Sequence, residues 1–234
     1  MHDTAILNCQ RFYDCYAESI ATQCQKPRVV EVGSQDVNGS IRSACPANFD
    51  YIGVDFVAGQ GVDVVLEDSY QLPFESESAD VVVSSSCFEH SEMFWLLFLE
   101  ILRILKPHGL LYLNVPSNGS FHRYPVDCWR FYPDSGRALV TWAKRNGINA
   151  ALLESYTSKQ IADEWNDFVA VFLKDDQLAP QFPRRILDGH PGVTNALRMN
   201  HEEPENYCGV PEDKAKLIMI SRILANQYNL PRGC

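Results

Sequence analysis

Several things are missing from this chain of 234 residues, and each absence narrows what it can be. Eight cysteines are present but none form a C-x-x-C pair, so neither a zinc ribbon nor a dithiol redox motif is written into it. Positive charge is scarce: 20 lysines and arginines face 30 aspartates and glutamates, a formal charge of -10. That balance disfavours polyphosphate partners and anionic membrane surfaces, so neither a nucleic acid nor a membrane is an expected partner. The first residues, Met1 to Ala5, hold neither a basic n-region nor an apolar h-region, and no secretion signal is expected. The longest apolar stretch, Met93 to Leu105, is too short to span a bilayer and carries Glu100 and Arg103. Reduced, mostly buried thiols and a cytoplasmic location are the expectation. Repeats and low-complexity tracts are absent too, and the length suits a single domain over 1–234.

What is present begins at Arg28. Val29, Val30 and Val32 form a short β-branched run that breaks at Gly33 and passes Asn38-Gly39, a strong turn dipeptide. A buried parallel strand that ends in such a turn, and then hands the chain to a helix, is expected. Gly33 would let a ligand approach the backbone closely. The dinucleotide fingerprint G-x-G-x-x-G is lacking, because Gln35 and Asn38 stand where it needs glycine. The next strand, from Tyr51, ends on Asp55, about twenty residues after Gly33, the spacing of an acid that accepts from a ribose diol. Short strands follow over 62–66 and Ala79 to Ser85, the latter a nearly continuous apolar run of the kind buried on both faces.

Helical spacing over 8–24 predicts an N-terminal helix stopped by Pro27. Met93 to Lys106 reads as a buried helix, Gly109 to Val115 as a fifth strand, and Asp134 to Asn146 as another helix. Two further runs, 150–156 and 167–174, lie close enough for an antiparallel pair at the sheet's edge. Residues 175–211, rich in proline and glycine, are expected to form a lid or binding loop, with a last amphipathic helix from Asp213 to Asn226.

Glu31-Val32-Gly33 with Asn38-Gly39, Val54-Asp55, Asp68 through Phe74, Asp80 to Val83, Phe88-Glu89-His90 and Glu100 through Gly109 occur in this order. The set resembles the class I S-adenosylmethionine-dependent methyltransferases, in particular their type-11-like group, over about residues 28–174. The resemblance implies an α/β, doubly wound, Rossmann-like sheet of seven strands, mostly parallel with an antiparallel last strand. Residues 1–27 would be an N-terminal helix, 28–174 the core, and 175–234 a C-terminal lid loop and helix. It implies S-adenosyl-L-methionine as cofactor. Glu31, Gly33, Ser34, Gln35, Asn38 and Gly39 would wrap its methionine and ribose portion. Asp55 would hold the ribose hydroxyls, Phe56 would lie against adenine, and Asp68 with Ser69 would meet the adenine amino group. Ser86, Cys87 and Phe88 would sit near the sulfonium. The family's second and third loop glycines are Gln35 and Val37 here.

Directly after the fifth strand, residues 115–133 crowd His122, Arg123, Tyr124, Asp127, Trp129 and Arg130 into one loop. Aromatic faces flanked by charged groups suit a polar ring such as a sugar. A small, hydroxyl-bearing acceptor is therefore expected, with His122, and after it His90, as the general base. No resident metal is assigned, although Glu89, His90, His122 and Asp127 could converge on a divalent ion. Two other classes compete. A nicotinamide-dependent oxidoreductase is disfavoured by the poor glycine fingerprint and the lack of a Tyr-x-x-x-Lys pair; the other is a non-catalytic cofactor-binding or interaction module on the same fold. The oligomeric state is left open.

Overall fold

Val81, Val82 and Val83 are all fully buried, and alternate residues belong to two different cores. Successive side chains of a strand point to opposite faces, so an unbroken apolar strand needs cover on both sides. A computed structural model of the protein, in which residues 3–161 and 165–225 are described, supplies that cover.

In chain order the strands are β1 (Arg28–Val32), β2 (Asp50–Asp55), β3 (Val64–Val65), β4 (Ala79–Ser85), β5 (Leu105–Pro116), β6 (Ala151–Thr157), β7 (Asp167–Leu173) and β8 (Thr194–Arg198). They form one sheet in the order β3-β2-β1-β4-β5-β7-β6-β8. Strands β1 to β5 run parallel, while β7 is antiparallel to both β5 and β6, and β8 is antiparallel to β6. Helices α2 (Phe94–Ile104) and α3 (Ser135–Arg145) cover one face. Helix α1 (Asp3–Gln23) covers the other with Phe12, Tyr13, Tyr16 and Ile20.

Three expectations change. The sheet has eight strands rather than seven, because the stretch 175–211 is not left open. It holds a 3-10 turn (Asp176–Gln181), a one-turn helix α4 (Ile186–Gly189) and strand β8, with Phe182, Ile186, Leu187 and Leu197 buried. Glu154 on β6 draws this segment in, its carboxylate accepting from the backbone N–H groups of Ile186 (2.7 Å) and Leu187 (3.0 Å). The 150–156 and 167–174 runs do pair antiparallel, but β7 slots between β5 and β6 and the edge passes to β8. Every residue of β7 is buried, which only an interior strand allows.

The third change lies after β1. No α-helix follows the first loop, only a 3-10 turn over Ile41–Ala44. Pro46 and the short remainder before β2 leave no room for more turns. Ile41 and Phe49 plug into the core instead, and α1 lies over them, taking the place of the crossover helix. At the far end, α5 (Glu212–Leu224) forms as a helix without a buried residue; Asn226 of the expected span lies outside the described residues. No described helix is long and apolar enough to cross a membrane.

Candidate active site

In the order above, the chain runs outward from β1 to β2 and β3, then returns to place β4 on the other side of β1. The reversal leaves a crevice outside the carboxyl ends of β1 and β4, where open α/β sheets bind their ligands. Gly33 and Cys87 pack against each other where those two strands end. Gly33 has φ +84, and a Cβ there would sit 2.6 Å from the Cys87 Cβ, so both conformation and space require glycine. Ser34, Ser85 and Asn114, at the ends of β1, β4 and β5, each carry a buried polar side-chain atom with no hydrogen-bond partner among the described residues. Buried polar atoms are nearly always satisfied, so this concentration at three strand ends suits a polar ligand.

The first loop is stitched to β2 and the loop beyond it. The N–H groups of Gly33 and Ser34 donate to the Val54 carbonyl (3.0 and 3.1 Å), and Asp36 N–H donates to Gln60 O (2.8 Å). Gly53 makes this possible, since a Cβ on it would lie 2.3 Å from the Gly61 carbonyl oxygen and 2.7 Å from Ser34 Oγ. Asp55 is buried. Its Oδ2 accepts from Gln35 N–H (3.0 Å) and its Oδ1 from Val57 N–H (3.3 Å). A carboxylate has about four lone-pair sites, so two backbone donors do not saturate it. Phe56 is half exposed directly beside it.

Glu31, one residue pair below Gly33 on β1, is buried against the α1 side, and burial pushes its carboxyl up to about 7 despite the Tyr51 hydroxyl and the Arg42 charge. Its Oε2 has no hydrogen-bond partner among the described residues. Asn38 and Gly39 are at the surface side of the loop, where Gly39 N–H caps the Asp36 carboxylate (2.7 Å). Asp68 and Ser69 lie exposed past β3, and Asp68 Oδ1 accepts from Tyr70 N–H at 2.8 Å, closing its own turn. Ser86 adopts φ 52. Phe88 turns inward, fully buried against Phe94 at 6.2 Å between ring centres, so its side chain packs beneath the crevice. Thus Gly33, Ser34, Gln35, Asp55 and Cys87 come together, whereas the Phe88 side chain does not join them.

Beyond β4 and β5 the character of the site changes. Phe88–His90 form a 3-10 turn, and the Glu89 carbonyl accepts from Cys128 N–H (2.7 Å), tying that turn to the loop of 117–133. The loop is organised around Asp127. Its carboxylate accepts from Arg130 at 2.6 and 2.9 Å and from His122 N–H at 2.7 Å. The Arg130 pair holds the acid down to about 2. Arg130 also donates to Ser120 O (2.7 Å). The two charges expected to hold acceptor hydroxyls are therefore spent largely on one another, because a bidentate guanidinium–carboxylate pair is stronger than either group's bond to a neutral hydroxyl. Trp129 likewise donates to Ser91 O (2.9 Å) and lies edge-on to Phe94 and Trp95. Arg123 and Tyr124 stay exposed at the loop's tip.

His90 and His122 do meet. Their rings are 5.0 Å apart at 90°, and His122 is also 5.0 Å from the Trp165 ring. His90 Nδ1 bonds the Val126 carbonyl and His122 Nδ1 bonds the Ser120 carbonyl (3.1 Å). A carbonyl only accepts, so each Nδ1 carries the hydrogen in the neutral ring and each Nε2 presents a lone pair. Burial lowers the His90 pKa, favouring that neutral ring. Glu89 is buried beside them, and its carboxyl is pushed up to about 8 by desolvation.

Residues not singled out from sequence complete the pattern. Trp165 comes from the chain before β7, and Asn166 there pairs with Asn118 (2.9 and 2.7 Å), joining two segments far apart in sequence. Nothing in local spacing signals that meeting. Gly53, a glycine inside a strand run, is the kind of signal that marks a close backbone approach.

Comparison with known proteins agrees with this geometry. Residues 33–113 match a protein-family model described as a methyltransferase domain. Phthiotriol/phenolphthiotriol dimycocerosates methyltransferase 1 of Mycobacterium ulcerans is 38% identical over 137 residues, 55% of this chain. The match covers 44% of that relative, so the chain spans less than half its length. Among solved structures, a candidate sarcosine dimethylglycine methyltransferase from Galdieria sulphuraria superposes with a TM-score of 0.53 at 13% identity, over 73% of this chain and 86% of its own. Burkholderia thailandensis 1,6-didemethyltoxoflavin-N1-methyltransferase, solved with its substrate and S-adenosylhomocysteine, gives 0.50 at 12% identity over 74% and 89%. Those two likenesses show the fold. Sheet order and the methyltransferase-domain match over residues 33–113 agree in their likeness to the class I S-adenosylmethionine-dependent methyltransferases.

Proposed function

We propose that the protein transfers a methyl group from S-adenosyl-L-methionine to a hydroxyl of a small polar acceptor, a sugar or glycan precursor. The observation that carries this is the adjacency of two unlike surfaces, the Gly33–Cys87 crevice and the His90–His122–Trp165 corner, at one end of one sheet. When bound, the cofactor supplies a sulfonium-activated methyl group. The chain's residues do the rest. Gly33 admits the ligand to the backbone, Asp55 offers its remaining lone pairs to the ribose diol, Phe56 covers adenine, and Asp68 with Ser69 meets its amino edge. Glu31, Ser34, Gln35, Asn38 and Gly39 shape the methionine side, and Ser86 and Cys87 bound the crevice near the reacting centre.

The acceptor lies against His122 and His90, with Arg123, Tyr124 and Trp129 at its rim, while Asp127 and Arg130 fix the loop rather than the substrate. Alignment and exclusion of water are the chain's principal contributions to an in-line displacement. The methyl–sulfur bond breaks as the oxygen–methyl bond forms, and the hydroxyl proton passes to an imidazole Nε2, His122 ahead of His90.

A specific observation favours a second reading of the acceptor. A groove of about 380 Å³ lined by Phe94, Trp95, Ala138, Leu139 and Trp142 adjoins Trp129, and the Mycobacterium ulcerans relative is named for dimycocerosates. A hydroxyl borne on an apolar scaffold fits that groove. Calorimetric titration with S-adenosylhomocysteine tests the cofactor, and saturable binding weakened about ten-fold or more by Asp55→Ala is expected. A methyl-transfer screen of sugars, nucleotide-sugars and hydroxylated lipids then separates the acceptors. Binding without transfer to any of them would point to a non-catalytic module.

A further inference from the structure

We propose that Glu89, His90 and His122 form a site for a divalent first-row transition ion, and that this ion holds the acceptor's hydroxyl oxygen beside the methyl donor. The acceptor role rests on the methyltransferase reading; the ion site itself does not. One ligand atom from each of the three residues lies within 4.8 Å of the other two. Metal–nitrogen and metal–oxygen bonds near 2.1 Å bring ligand atoms to about 3–3.4 Å of each other, so closure takes a shift of roughly an ångström. His122 is the residue able to move, its side chain being 40% exposed, against 13% for His90 and 1% for Glu89.

The way each ring is held supports the same conclusion. Imidazoles that bind metals donate their second N–H to a carbonyl or carboxylate, which fixes the tautomer and aims the other nitrogen. His90 does this to Val126 O and His122 to Ser120 O, with the Asp127 carboxylate 3.5 Å from the same His122 nitrogen. The free Nε2 of His90 then faces Glu89 Oε1 at 3.8 Å. A lone pair and a carboxyl placed this way can share one proton, and a divalent ion that displaces that proton gains both as ligands. Glu89 Oε2 is buried with no hydrogen-bond partner among the described residues, although buried carboxylate oxygens are ordinarily satisfied. Two imidazoles and one carboxylate, with positions left open, select a transition ion over magnesium or calcium. Open positions are also what acceptor binding requires. An ion there lowers the proton affinity of a bound hydroxyl, so that solvent water can take its proton while both imidazoles serve as ligands in place of the base.

The test uses the full chain after chelator treatment, titrated with Co2+ and followed by its visible d–d absorption, with Zn2+ in competition. One Co2+ per chain is expected, with affinity falling about ten-fold or more in His90→Gln, His122→Gln and Glu89→Gln. S-adenosylhomocysteine affinity, measured on the same samples, should stay within about two-fold, because the crevice is built by other residues. Should Glu89→Gln fail to fold, His122→Gln carries the result. Absence of saturable Co2+ binding, or binding that survives both histidine substitutions, overturns the site. Co2+ bound as expected with no S-adenosylhomocysteine binding would instead sink the methyltransferase reading and leave the ion site standing.

Discussion

The two ends of the sheet's carboxyl edge are built by different physics. On the β1–β4 side the crevice is made by backbone: paired N–H and carbonyl groups, a glycine facing a cysteine, and a second glycine letting two loops touch. On the β5–β7 side the corner is made by side chains, with one acid–arginine pair, two histidines and a tryptophan holding a loop in place. Backbone construction suits a ligand whose shape is fixed. Side-chain construction is easily altered residue by residue, which suits the partner that sets specificity.

The sharpest way to break that contrast is Gly33→Ala. It places a Cβ 2.6 Å from the Cys87 side chain at φ +84, so stability should drop by about 3 kcal/mol, combining backbone strain with overpacking. S-adenosylhomocysteine binding should be lost in calorimetry. A fully folded variant with intact affinity would show that the crevice is not the ligand site. Next comes Asp127→Asn, which removes the negative charge and turns one of the two oxygens shared by Arg130 and the His122 N–H into a donor. A loss of about 2–3 kcal/mol in urea denaturation is expected, with methyl transfer reduced further and cofactor affinity within about two-fold. If affinity falls as far as turnover, the two ends are not separable.

Glu31 offers a probe of the first end alone. Its carboxyl is raised to about 7 by burial, so the folded state favours the protonated form. That contribution is complete below the unfolded value of about 4.3 and is lost as pH rises through about 7. Glu31→Gln should therefore gain about 2–3 kcal/mol on the parent between pH 5 and pH 8, read from urea midpoints at the two values. A constant difference would mean that the acid is ionised throughout. The smallest effect belongs to Tyr124→Ala at the exposed loop tip. Stability should hold within about 0.5 kcal/mol, while the ranking of acceptors in a transfer assay changes.

How much of this could be read beforehand follows the same division. Val29 to Gly33 and Ala79 to Ser85 announce their strands because runs of valine buried on both faces have no other stable use, and Gly33 marks where they meet. The helix of Phe94–Ile104 was legible as a stretch apolar almost all round that stops before Pro107 and Gly109, though its last two expected residues, Leu105 and Lys106, belong to β5. The strand Thr194–Arg198 was not, since only a buried glutamate on β6 and the packing of Phe182 and Leu187 give that segment its place. Nor was the pairing of Asp127 with Arg130. Both residues were visible, but their separation of three along a loop does not say whether they will face a ligand or one another. Glu89 was half-seen, flagged by its neighbour His90 and hidden by its own burial.

The slotting of β7 between β5 and β6 has an outcome for how the molecule comes into being. On a ribosome, β5 emerges with its outer flank bare and stays so until residue 173 has been made, because the strand that satisfies it arrives after β6. Trp165 and Asn166 travel with that late strand, so the corner around His122 can close only when the sheet itself does. A nascent chain stopped after β5 would expose a row of unpaired amides from Leu110 to Pro116, a template for association with other chains.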